Sequence, residues 1–90
     1  MNNIEIYTKP LCPFCHRAKA LLDKKGVAYR EIDVSANPDA LAEMIERSKR
    51  RTVPQVFINE QHIGGSDDLQ DAQRNGLLDE LLMQPESVSA

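Results

Sequence analysis

A strand pattern, a helix pattern and a second strand pattern follow one another within the first 34 residues, and this order limits the possible folds more than any other feature of the chain. Ile4-Glu5-Ile6-Tyr7 alternates apolar and polar residues and is rich in strand formers. From Pro13 to Lys25 the period changes: Ala18, Leu21 and Leu22 recur at helical spacing, with Arg17, Lys19, Asp23 and Lys24 between them. Gly26 supplies the helix stop. Val27 to Val34 reads as a second strand, with Tyr29, Glu31 and Asp33 alternating. A strand, a crossover helix and another strand call for a parallel pair joined by a right-handed connection.

The second half reads differently. Ser35, Asn37 and Pro38 signal a turn and a helix entry, and Ala40 to Arg47 carries an apolar stripe of Leu41, Met44 and Ile45. A basic loop, Lys49-Arg50-Arg51, leads through Thr52-Val53-Pro54 into Gln55-Val56-Phe57-Ile58, a strand of strong β-propensity. Asn59-Glu60-Gln61 turns the chain and His62-Ile63-Gly64 returns it, so these two strands form a hairpin. Gly65-Ser66-Asp67-Asp68 reads as a helix entry, with Ser66 as the expected N-cap. Leu69 to Arg74 is the third helix, and Asn75-Gly76 breaks it. Leu77 to Met83 is the last helix, with Leu77, Leu78, Leu81 and Leu82 expected to face inward.

The order predicts an α/β fold: a four-stranded mixed sheet with helices on both faces. Ninety residues make one domain, expected to span residues 1–84 with a polar tail over 85–90. The net charge of −3 gives no reason to expect nucleic acid as a partner, and no apolar run is long enough for a membrane span. No basic segment followed by an apolar stretch opens the chain, which points to the cytoplasm.

Both cysteines stand in Cys12-Pro13-Phe14-Cys15, where the first strand gives way to the first helix. Closing so short a loop with a disulfide removes little chain entropy, so a structural staple is a poor explanation of the pair. Redox or metal chemistry fits better. Disulfide exchange needs a thiolate, and a helix start provides for one: its first N–H groups lack intrahelical acceptors and its dipole favours negative charge. A Cys12 sulfur just before the helix would face the N–H groups of Phe14 and Cys15, while Pro13 has no N–H and suits the first turn. Lys9, His16, Arg17 and Lys19 add positive potential nearby. Cys12 is therefore expected to be the nucleophile. Cys15, one turn further on, is expected to be more buried and to act as the resolving thiol. Two alternatives share the motif. A zinc site in one chain would need two more ligands, and the chain has no other cysteine and only His16 and His62. Cys12-Pro13-Phe14-Cys15-His16 also matches the short C-x-x-C-H pattern of c-type haem attachment, which belongs with export.

Three motifs in order carry a family resemblance: Tyr7-Thr8-Lys9-Pro10-Leu11-Cys12-Pro13-Phe14-Cys15, Thr52-Val53-Pro54-Gln55-Val56-Phe57-Ile58, and His62-Ile63-Gly64-Gly65-Ser66-Asp67-Asp68-Leu69. Together they resemble the glutaredoxins, most of all the short bacterial dithiol kind, over residues 3 to about 83. The resemblance implies a thioredoxin-like fold and a glutathione-dependent thiol–disulfide oxidoreductase. No tightly bound cofactor and no metal are implied; glutathione is the electron-donating co-substrate. Disulfide-containing or glutathionylated proteins are the expected partners of a monomeric enzyme. By the same resemblance Cys12 would hold the glutathione sulfur, with Phe14 shaping the adjacent surface where the family more often has tyrosine. Lys9 would meet the glycyl carboxylate, assisted by Arg50. Thr52, Val53 and Pro54 would form the strand-like edge along the tripeptide, with a cis Val53–Pro54 bond and the Val53 backbone paired to the cysteinyl part. Gly65, Ser66 and Asp67 would receive the γ-glutamyl end at a helix N-terminus. The runner-up function is a carrier of a [2Fe–2S] cluster held between two subunits with two glutathiones. Pro13 argues against it, because cluster-binding relatives usually have glycine or serine there.

Overall fold

The computed structural model describes residues 3–83, so the tail expected over 85–90 lies outside the described residues. The elements run β1 (Ile4–Thr8), α1 (Pro13–Lys24), β2 (Arg30–Asp33), α2 (Pro38–Ser48), β3 (Gln55–Ile58), β4 (Gln61–Gly64), α3 (Ser66–Arg74) and α4 (Leu77–Met83). The strands form one sheet in the order β2-β1-β3-β4. β1 pairs parallel with β2, and the β1–β3 and β3–β4 pairs are antiparallel. The mixed sheet is therefore the predicted one.

Alternation along β1 divides the core. Ile4 and Ile6 join Val56 and Ile58 on one face, under Ala18 and Leu22 of α1, Leu69 and Ala72 of α3, and Leu78 and Leu81 of α4. Tyr7 and Phe57 point to the other face and pack with Val34 and with Met44 of α2. All four residues of β3 are buried, as a strand covered on both faces requires.

A polar pin holds α2 to its face of the sheet. The Arg47 guanidinium lies 4.0 Å from the Phe57 ring centroid. It donates to the Tyr7 hydroxyl at 2.8 Å and to Glu5 at 3.0 Å. The Tyr7 hydroxyl in turn donates to Glu43. α2 then ends on Lys49, whose φ of 62° is left-handed, and the Ser48 hydroxyl accepts from the Arg50 N–H at 3.1 Å. This fixes where the chain leaves α2 for the Thr52–Pro54 segment.

Three sequence expectations change at element ends. β2 begins at Arg30 rather than Val27, its first β1 partner being Glu5. Val27 and Tyr29 are used otherwise: they pack on the α1-side core, and the Val27 N–H closes the helix end on the Leu22 carbonyl at 3.4 Å. α3 begins at Ser66, three residues before Leu69, and its N-cap is Gly65 rather than Ser66. In α4, Leu78 and Leu81 are buried and Leu82 is partly buried, but Leu77 stays 40% exposed. A helical Cα–Cβ bond leans toward the N-terminus, so the side chain of the first residue leans off the end of the helix. The β3–β4 turn is carried by Asn59 and Glu60, with φ of 51° and 69°, the left-handed pair that a two-residue hairpin turn requires.

Candidate active site

The end of β1 delivers the chain to the site through Lys9, Pro10 and Leu11. Leu11 has a left-handed φ of 57° and a side chain 95% exposed. Cys12 follows as the N-cap of α1, extended at φ −111°, ψ 106°, with Pro13 in the first turn. The Cys12 sulfur accepts the Cys15 backbone N–H at 3.2 Å, so one of the two expected N–H groups is engaged. Cys12 is partly exposed, whereas Cys15 is 1% exposed, and both are free thiols. Burial pushes the Cys15 thiol up to about 11, reinforced by its contact with Cys12 and opposed by the Lys9 backbone and the Lys19 ammonium. The two sulfurs thus occupy opposite environments within one helical turn.

Phe14, 50% exposed, stands beside Cys12 with the Arg17 guanidinium 5.4 Å from its ring centroid. It forms part of a groove of about 310 Å³ lined by Arg50, Thr52, Val53, Pro54, Gly65, Ser66, Asp67 and Asp68. Every predicted glutathione residue except Lys9 lines this groove. Lys9 is exposed and lies outside it, and its backbone acts to lower the Cys15 thiol. The Val53–Pro54 peptide is cis, as the resemblance implies. A second, more open groove of about 790 Å³ lies between α1 and α3 and shares Asp67 with the first.

Sequence reasoning missed three residues that build the groove. Gln55 is fully buried, and its amide donates to the Thr52 carbonyl at 3.0 Å and the Thr52 hydroxyl at 3.3 Å. Its carbonyl oxygen meets the His62 Nε2 at 2.7 Å. His62 is therefore a half-buried structural residue, pushed down by burial and then by the Arg50 charge. Asp68 is the second. One oxygen of its carboxylate accepts the Gly65 N–H at 3.0 Å and the Arg50 guanidinium at 2.9 Å, tying the α3 entry to the basic loop. Arg50, then the Gly65 N–H, hold its carboxyl below the ordinary value. Gly64 is the third: a Cβ there would lie 2.3 Å from that same carboxylate. The sequence signal was the Gly64-Gly65 pair, which marks a place where side chain and backbone must come close. Ser66, displaced from the cap, is 5% exposed; its hydroxyl is buried in the groove wall without a hydrogen-bond partner among the described residues.

Asp68→Ala is expected to lower stability by about 1 kcal/mol, the usual cost of losing a cap acceptor, and Asp68→Asn by clearly less. The asparagine oxygen can still accept from Gly65, and the ion pair it loses is 47% exposed on Arg50 and 44% on Asp68. Urea unfolding of the two variants measures the order. The Asp68 contribution is full above the unfolded carboxyl value near ~4 and fades as pH falls through its lowered folded value, so the wild-type advantage over Asp68→Asn should shrink below that pH. Equal losses in the two variants would sink the capping role.

Among the described residues no group of three or more histidine, cysteine or carboxylate side chains is placed to hold a metal ion, and no helix is long and apolar enough to cross a membrane. The glutaredoxin family model matches residues 4–63. Glutaredoxin 3 of Escherichia coli strain K12 is 57% identical over 82 residues, covering 91% of this chain and 99% of the relative. The solution structure of a glutaredoxin from Brucella melitensis superposes with a TM-score of 0.78 at 55% identity, covering 89% of this chain and 87% of that one. The crystal structure of a buckwheat glutaredoxin–glutathione complex superposes with a TM-score of 0.82 at 34% identity, covering 90% and 76%. This chain belongs to the glutaredoxin family and is of the bacterial glutaredoxin 3 type.

Proposed function

We infer that the protein is a glutathione-dependent thiol–disulfide oxidoreductase that reduces protein disulfides by a dithiol route and glutathione mixed disulfides by a monothiol route. The observation that carries this reading is the asymmetry of the pair: a partly exposed Cys12 sulfur at a helix N-terminus, a buried Cys15 thiol one turn away, and a tripeptide-sized groove beside them. In the dithiol route the Cys12 thiolate attacks a substrate disulfide and one substrate thiol leaves. Cys15 then attacks Cys12, releasing the second, and two glutathiones reduce the Cys12–Cys15 bond. In the monothiol route Cys12 takes the glutathione sulfur, the protein thiol leaves, and a second glutathione restores Cys12.

The groove accounts for glutathione on its chemistry. Val53 offers strand-like backbone pairing beside Pro54 and Thr52. Arg50 in the groove, with the exposed Lys9 outside its lining, suits the glycyl carboxylate. The α3 N-terminus at Gly65 and Ser66 suits the γ-glutamyl carboxylate, with the Ser66 hydroxyl as a ready donor, and the Asp67 carboxylate suits the γ-glutamyl ammonium. Phe14 presents a ring face without a hydroxyl. The substrates are disulfide-containing or glutathionylated proteins, and the enzyme acts as a monomer in the cytoplasm.

The Cys15→Ser variant tests the division of labour. It should keep reduction of a glutathionylated peptide within a few-fold of wild type and lose reduction of a protein disulfide by about tenfold or more at millimolar glutathione. An oriented intramolecular thiol has an effective molarity far above the millimolar range, so outside glutathione cannot replace it. Steady-state assays with the two substrates give both rates. Loss of both activities would contradict the assigned roles.

A further inference from the structure

Lys19 lies one turn after Cys15 on the same face of α1, and it does not stand free as a contributor to the potential at Cys12. Its ammonium donates to Glu31 Oε2 at 3.0 Å, and the same oxygen accepts the Thr8 hydroxyl at 2.8 Å. Thr8 is 2% exposed and directly precedes Lys9, whose backbone holds the Cys15 thiol down. Three elements therefore converge beneath the resolving thiol: the end of β1 through Thr8 and Lys9, β2 through Glu31, and α1 through Lys19. The sequence reading assigned Glu31 no role, and the glutathione groove does not include either member of the pair.

We propose that Lys19, held in place by Glu31 and Thr8, is a positioning residue for the resolving step, its fixed positive charge favouring the Cys15 thiolate as that sulfur attacks Cys12. The proposal deepens the functional reading above and rests on it. In the step concerned, Cys15 starts as a thiol and Cys12 is joined to a substrate sulfur. The Cys15–Cys12 bond forms as the Cys12–substrate bond breaks. The electron pair leaves with the substrate sulfur, and the Cys15 proton ends on it, so the two cysteines are oxidised and the substrate is reduced. Charge matters here because Cys15 begins so far from ionised. Burial drives its thiol up to about 11, and the Lys9 backbone and the Lys19 ammonium oppose that rise. Other titratable groups face this cluster: Cys12 and Asp23 on α1, Tyr29 in the connection before β2, and Glu31 and Asp33 on β2. Glu31, whose carboxyl the Thr8 hydroxyl and Lys19 hold low, keeps the Lys19 charge in place across the neutral range.

The size of the effect follows from two opposing trends. Removing a charge that lowers a thiol by about one unit cuts its thiolate tenfold. The more basic thiolate is also the better nucleophile, with a Brønsted slope of about 0.4–0.5, which returns about threefold. For each unit by which losing the charge raises the thiol, the resolving step slows about threefold. Stopped-flow reaction of the reduced protein with one equivalent of the aromatic disulfide 5,5′-dithiobis(2-nitrobenzoate) separates the steps. Attack by Cys12 releases one coloured thiolate, and resolution by Cys15 releases the second. In Lys19→Gln the ratio of the second rate to the first should fall at pH 7, about threefold for a one-unit rise, and Lys19→Arg should restore it. An unchanged ratio in Lys19→Gln, or an arginine variant as slow as the glutamine one, would overturn the inference alone. A wild type that shows no second release would overturn the dithiol reading and this inference with it.

Discussion

Replacing Cys12 with serine should abolish both reactions, by about a thousandfold or more, while leaving the fold intact. Serine is among the best N-cap residues, so the oxygen can take over the bond from the Cys15 N–H and α1 keeps its start. What is lost is the chemistry: a hydroxyl is not ionised at neutral pH and cannot exchange with a disulfide. Cys15 cannot step in. At 1% exposure a substrate disulfide does not reach it in line, and with its thiol up at about 11 only about one part in 10⁴ is thiolate at pH 7. The check is the glutathione-coupled assay on both substrate types, beside thermal melting of the same preparation. Residual activity of more than a few per cent in a folded Cys12→Ser protein would mean that Cys15 is a nucleophile in its own right, and the division of roles between the sulfurs would fall.

The parts of this site that could be read from the sequence are those whose signal is local. Cys12 and Cys15 announce themselves by type and spacing, and Pro13 after a strand pattern places the helix start. The βαβ opening and the later hairpin follow from periodicity, so the sheet and its two covered faces were foreseeable. The residues that went unread act through side-chain bonds that periodicity does not show, some across long sequence separations and some within a single turn. Glu31 matters because β2 lies beside β1 and brings its carboxylate between Thr8 and Lys19. Asp68 looked like one of two first-turn acids; its bond to the Gly65 N–H is made within the first turn of α3, and the tertiary fold brings Arg50 to the same oxygen. Gln55 sits in a strand motif where its alternation gives no hint of a bond back to Thr52. The misplaced cap has a local origin. Ser66 has the right side chain for an N-cap, but Asp68 folds back to satisfy the Gly65 N–H, so the helix starts one residue earlier and the serine hydroxyl is buried in the groove wall. Lys9 marks the opposite case: the motif is real, yet its side chain stays outside the groove while its backbone serves Cys15.

The same geometry makes Gly64→Ala a strongly damaging substitution. Gly64 ends β4 with a φ of 124°, a conformation that L side chains rarely adopt. An added methyl would also stand 2.3 Å from Asp68 Oδ2 and 2.7 Å from its Cγ. The carboxylate is held by the Gly65 N–H at 3.0 Å and by Arg50 at 2.9 Å, and the Asp68 Cβ, at 2.8 Å from the added methyl, is fixed by the backbone of α3. Either those bonds break and α3 loses its cap, or the Gly64 backbone rotates and disturbs its pairing with Val56. Backbone strain of about 1–3 kcal/mol and a lost cap of about 1 kcal/mol together predict a loss of about 2–4 kcal/mol. That is a large share of the roughly 5–15 kcal/mol that stabilises a domain. The KM for glutathionylated substrate should rise as well, because Gly65, Ser66 and Asp67 move with the helix entry, while alkylation of Cys12 by iodoacetamide in the Cys15→Ser background should keep its rate. Gly65→Ala is the control: its φ is −85°, and the nearest atom to an added Cβ is the Pro54 carbonyl oxygen at 3.4 Å, an ordinary contact. It should cost well under the Gly64 value in urea unfolding. Combining Gly64→Ala with Asp68→Ala removes the two closest contacts, to Oδ2 and Cγ, and leaves the one to the Asp68 Cβ at 2.8 Å, so the double variant should lose less than the two single losses added and still more than Asp68→Ala alone. Equal losses for the two glycine variants, or strict additivity in the double, would show that the carboxylate seated on Gly64 is not what shapes this end of the groove.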